Sequence, residues 1–149
     1  MLFRSTKHSI AADAIERVEL KVHPLVMKLT GNPDPRDGLQ AKLSVQHCTA
    51  CAFLFGAVGV KEFADACAVD PQVTALRARV NPVVDEKIAA DAADVTVVLK
   101  NGTRHHAFVP HALGSLERPL TDADLENKFR ALVEWGMSTC NAYDVIELI

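Results

Sequence analysis

The sequence predicts an α+β domain: a small antiparallel sheet with a β-hairpin, packed against several helices. Three observations predict it. Arg17-Val18-Glu19-Leu20-Lys21-Val22-His23 alternates strictly between apolar and polar residues, the period of a half-buried strand. "DVTVVLKNGTRHHAFV" joins two β-rich runs through Asn101-Gly102, a dipeptide suited to a two-residue type I′ turn. The other apolar runs have helical spacing and helix-start signals, without the regular βαβ alternation of a parallel sheet.

Taken in order, the first strand points Val18, Leu20 and Val22 one way and stops at Pro24. "TGNPDPRDG", Thr30 to Gly38, is a loop dense in Gly, Pro, Asn and Asp. Ser44 can cap a helix running to about Ala57. That helix is apolar nearly all round, so it must be covered on several sides. Gly56 and Gly59 end it, and a short amphipathic helix is expected near Val60 to Ala66. Asp70-Pro71 starts the next helix, with Val73, Leu76 and Val80 on its apolar side. After the hairpin, Thr121 caps "TDADLENKFRALVEW", whose Leu125, Phe129, Leu132 and Val133 form an inward stripe. A last short helix is expected from Asn141 to Leu148.

At 149 residues the chain has the size of one domain and can bury a core without disulfides. The net charge of -3 and the scattered Lys and Arg leave no footprint for nucleic acid. The longest apolar run, Thr49 to Val60, is too short for a membrane span and contains two glycines. No secretory leader is recognisable at the N-terminus. The expected location is the cytoplasm, where Cys48, Cys51, Cys67 and Cys140 remain thiols.

The chemistry-bearing residues gather at "KLSVQHCTAC", Lys42 to Cys51. A structural zinc site wants four ligands, usually as two close pairs. Here one pair is close, and Cys67 and Cys140 are solitary in sequence. Cys48 and Cys51, set among Ala52, Phe53 and Leu54, are read as small buried hydrophobes, so no metal site is assigned. His105 and His106 are adjacent on a strand and face opposite sides of the sheet. His23 and His111 flank prolines and carry no signal. Lys42, Ser44, Gln46 and His47 differ, because they cluster at a helix N-terminus, where backbone N–H groups and the helix dipole favour an anion. Spacing alone does not separate that reading from a plain helix cap.

"GLQAKLSVQHCTACAFLFG" resembles the central motif of the C-terminal domain of the MmgE/PrpD family, which includes 2-methylcitrate dehydratase, cis-aconitate decarboxylase and iminodisuccinate epimerase. "IERVELKVHPLV" is similar to the strand that opens this domain, and "DPQVTALRARV" to the helix leading into its next strand. "ADVTVVLKNGTRHHAFV" is similar to its hairpin, and "ERPLTDADLENKFRALVEW" to its closing segment. The resemblance runs from about Lys7 to Trp135. It divides the chain into a connector, 1–14, the family-like domain, 15–135, and a helical tail, 136–149. Leu43 stands where the family usually has Phe, and His47 where it has an aromatic, often Tyr.

The resemblance implies an active site between this domain and a large helical domain that supplies most of the acid–base residues. His8, in the connector, is not assigned to that set. What carries over is the turn: Lys42, Ser44 and Gln46 as binders of a small di- or tricarboxylate, and His47 as the residue that orients substrate or shuttles a proton. No metal or organic cofactor is required. The implied function is the C-terminal part, fragment or small subunit, of a 2-methylcitrate dehydratase-like lyase or isomerase, inactive without the helical domain. The alternative is a non-catalytic remnant or association domain. Expected partners are a helical-domain chain or a second copy in a twofold homodimer, because one small domain is expected to leave part of the Ser44-capped helix uncovered.

Overall fold

The structure is a computed structural model that describes residues 10–136, 139 and 141–147. His8 and Cys140 lie outside the described residues. The chain divides into two compact units, Met1–Ala112 and Leu113–Ile149.

The first unit is built on a four-stranded sheet of order β2-β1-β3-β4. β1 (Ile15–Val22) is central, and the alternation that predicts it puts Val18, Leu20 and Val22 in the core. β1 runs antiparallel to β3 (Ala93–Leu99), which pairs antiparallel with β4 (Arg104–Val109). β2 (Val80–Val84) pairs parallel with β1, with Val18 opposite Val80. The sheet is therefore mixed rather than antiparallel throughout, and Val80, expected on a helix face, is a strand residue. Pro82 interrupts the apolar run and fits β2 because that strand lies at the sheet edge, where a missing N–H is tolerated.

The hairpin turn differs in detail from the expected two-residue type I′. The Gly102 N–H donates to Leu99 O at 2.8 Å and the Leu99 N–H to Thr103 O at 2.8 Å, which makes Lys100-Asn101-Gly102 a three-residue loop. Gly102 supplies the left-handed residue, at φ +84°, that lets such a loop rejoin the ladder.

Two short helices occupy what reads as strand stop and loop. α1 (Pro24–Thr30) starts with Pro24 at its first position, and His23 Nδ1 accepts from the Leu25 N–H at 3.1 Å. α2 (Gly38–Ala41) is capped by Asp37, whose Oδ1 accepts from the Gln40 N–H at 2.8 Å. α3 (Val45–Phe55) follows, capped by Ser44 and ended by Gly56. The expected amphipathic helix is a 3-10 turn, Lys61–Phe63, and then α4 (Asp65–Ala68). α5 (Pro71–Arg77) has Asp70 at its cap.

α3 packs against α5 and β2. The shared core joins Ile15, Leu20, Val95 and Val97 of the sheet, Ala50, Cys51 and Phe53 of α3, and Val73 and Leu76 of α5. Burying each large side chain contributes about 1.5–3 kcal/mol. Of the eleven residues of α3, seven are buried, three half-buried and only Phe55 exposed. The expected uncovered face of this helix is thus largely absent, because the fold encloses it within the first unit.

In the second unit, α6 (Asp122–Gly136) packs with α7 (Ala142–Ile146). Thr121 and Asp124 cap α6 reciprocally: Thr121 Oγ1 accepts from the Asp124 N–H, and Asp124 Oδ2 accepts from the Thr121 N–H. Arg130 pairs with Glu126 at 2.8 Å and lies over the Tyr143 ring at 4.7 Å. Of the expected inward stripe, Val133 is buried and Phe129 half-buried, whereas Leu125 and Leu132 are exposed.

Candidate functional site

The candidate site starts from a turn held at both ends. Leu43 O accepts from the Asn32 N–H at 3.1 Å, and Ser44 forms a β-bridge with Gly31. α2 leads into the turn along a close approach at Gly38, where any Cβ would collide with the Phe63 carbonyl oxygen. Asp65 Oδ1 accepts from the Gly38 N–H at 2.8 Å, tying the start of α2 to that of α4. The residues before α3 are therefore fixed from three directions.

On this turn the four predicted site residues divide. Lys42, at the C-terminal cap of α2, is exposed. Ser44 is fully buried, and its Oγ accepts from the His47 N–H at 3.1 Å. Gln46 is buried, and its Oε1 has no hydrogen-bond partner among the described residues. His47 is 0% exposed, so in this arrangement its ring is not presented to a ligand outside the fold. It lies beside the 3-10 turn instead, where Nε2–H donates to Glu62 O at 2.8 Å and the Phe63 ring centroid is 6.1 Å away. Nδ1 is buried without a partner among the described residues. Burial first, and then the Arg77 charge, hold the imidazole below its ordinary pKa, against the raising effect of the Glu62 carbonyl. His47 is therefore neutral at pH 7.

The thiols are not activated. Burial raises the pKa of Cys48, Cys51 and Cys67, opposite to the shift that makes a cysteine reactive. Cys51 is a core residue, as the helix pattern predicts. Cys67 is not solitary in space: its Sγ lies 3.9 Å from Cys51 Sγ. Sixteen residues separate the two in sequence, and only the fold of the 61–68 segment brings them together. Arg77 is a second residue missed by pattern. It is buried at the end of α5, donates to Ala68 O at 2.8 Å and pairs with Asp34 at 3.0 Å.

An apolar cavity of about 360 Å³ lies between α3 and the sheet, lined by Leu20, Val45, Thr49, Phe53, Phe63 and Val95 among others. Among the described residues no charged side chain lines it, and none of the four turn residues reaches it. A polyanionic ligand finds no charged partner among those lining residues. Among the described residues, no helix is long and apolar enough to cross a membrane.

A mixed sheet carrying a buried, Ser-capped helix defines the class: an α+β domain in which Lys42, Ser44, Gln46 and His47 gather at one helix N-terminus. The model of the MmgE/PrpD C-terminal domain matches residues 4–148, and the chain belongs to that family. It is also similar to the cis-aconitate decarboxylase of Mus musculus, with 28% identity over 124 residues. That match covers 80% of this chain and 25% of the relative, so the chain spans about a quarter of the length of the curated protein it matches.

Proposed function

We propose that this chain provides the carboxylate-binding wall of an MmgE/PrpD-type lyase or isomerase, 2-methylcitrate dehydratase-like, acting on a small di- or tricarboxylate. The observation that carries the reading is Lys42, an exposed cation on a turn fixed by backbone bonds and opening the Ser44-capped α3. Family membership and the similarity to a decarboxylase support it. Lys42 would pair a substrate carboxylate as a point charge. Ser44, whose Oγ caps α3 by accepting from the His47 N–H, and the buried Gln46 would hold the turn in place behind Lys42. The proton-handling role expected of His47 passes to the helical domain, because the imidazole is enclosed. His47 then acts as a positioning residue behind the turn.

This reading requires a partner, either a helical-domain chain or a second copy of this chain, in the cytoplasm. Positioning groups without an acid or base give little rate. Purified chain is therefore expected to turn over 2-methylcitrate, cis-aconitate or iminodisuccinate no faster than a Lys42→Ala control. Added helical-domain partner should bring turnover that depends on Lys42. Turnover by the chain alone, or turnover with the partner that is indifferent to Lys42→Ala, overturns the assignment.

A further inference from the structure

His47 and Cys51 stand four residues apart on α3 and so share one helix face. α4 brings Cys67 to the same place. Cys51 Sγ lies 3.4 Å from His47 Nε2 and 3.9 Å from Cys67 Sγ, and the three atoms are all within 4.8 Å of one another. A tetrahedral zinc ion has Zn–S bonds of about 2.3 Å and Zn–N bonds of about 2.0–2.1 Å. It therefore holds two thiolates about 3.8 Å apart, and a thiolate and an imidazole nitrogen about 3.6 Å apart. Both short separations in this cluster come within a few tenths of an ångström of those values.

We propose that His47, Cys51 and Cys67 form a binding site for one Zn²⁺ ion that ties α3 to α4. Two thiolates and an imidazole are a soft donor set, which favours zinc over the oxygen-seeking magnesium and calcium. Glu62 O accepts from His47 Nε2–H at 2.8 Å, a hydrogen bond that gives way when Nε2 takes the ion. Cys67 is half-buried and forms the side open to an arriving ion, whereas His47 and Cys51 are enclosed. Binding releases one proton from each thiol to solvent, and the single imidazole proton moves from Nε2 to Nδ1 so that Nε2 can face the ion. Cys48 lies on the cavity side of α3 and takes no part.

The test uses the purified chain, reduced and stripped with a chelator, then titrated with Zn²⁺ against a chromophoric competitor and separately with Co²⁺. The expected result is one equivalent of zinc and a thiolate-to-cobalt charge-transfer band in the near ultraviolet. Cys67→Ser, shown to be folded by circular dichroism, should weaken binding by more than the roughly 10–100-fold typical of an outer-shell change. Cys48→Ser should bind as the unaltered chain does. The proposal is overturned by absence of stoichiometric zinc, by a cobalt spectrum without the charge-transfer band, or by unchanged affinity in folded Cys67→Ser. The first two results need no variant, so a failure of Cys67→Ser to fold leaves the test decisive.

Discussion

α3 and α6 are held in opposite ways. α3 is enclosed by α5 and the sheet strands, with seven of its eleven residues buried. α6 has fifteen residues, of which Val133 alone is buried. Its supports are local: the Thr121–Asp124 cap, the Arg130–Glu126 pair and Arg130 over Tyr143. The difference bears on function. Polar groups such as Ser44, Gln46 and His47 are tolerated inside only where packing fixes their surroundings, since an unpaired buried group costs about 1–3 kcal/mol. α3 can hold such groups at its N-terminus, and α6 has no interior in which to hold them.

Truncations give the largest contrast between the two helices. Phe53→Ala in α3 empties a buried site and should destabilise the first unit by about 3–5 kcal/mol in urea unfolding. Leu132→Ala in α6 removes a side chain that is 47% exposed, and its effect should stay within about 0.5 kcal/mol. Equal effects would break the comparison.

A smaller effect sharpens it. His47 has a lowered pKa in the folded chain, so below about pH 6.5 the unfolded chain binds more protons than the folded one. The stabilising contribution of a neutral His47 is present above pH 6.5 and is lost as pH falls through the folded value. The urea midpoint should be flat between pH 8 and 7 and should decline from about pH 6.5 downward. His47→Gln should remove that decline. Asp91 and Asp124, whose pKa values are lowered by hydrogen bonding, titrate below this window. A decline that persists in His47→Gln would show that another group causes it.

The parts of this fold legible in the sequence are those with local chemistry. The alternation around Val18, the caps at Ser44, Asp70 and Thr121, and the Asn101-Gly102 turn region all fall where they are read. Their signals lie within a few residues of one another. α1 was hidden because Pro24 serves equally as a strand stop and as a first helical residue. Periodicity alone hides the start of β2, because Val80 extends the helical spacing of Val73 and Leu76; the strand after this helix was implied only by the resemblance, and the pairing with β1 shows where it lies. The side chains of the site were harder still. The sequence places Lys42, Ser44, Gln46 and His47 together at a helix start, but not that His47 turns inward. That depends on the 61–68 segment, which supplies Glu62 O, the Phe63 ring and Cys67.

The most direct test of the carboxylate-binding wall is an NMR titration of the purified chain with cis-aconitate, following backbone amides in the unaltered protein and in Lys42→Ala. Half of a cleft should bind weakly, with Kd on the order of 1 mM, about 4 kcal/mol. The account predicts saturable shifts centred on residues 42–47 that disappear in Lys42→Ala. Shifts that survive Lys42→Ala, or that centre on the cavity around Phe53 and Val95, would contradict it.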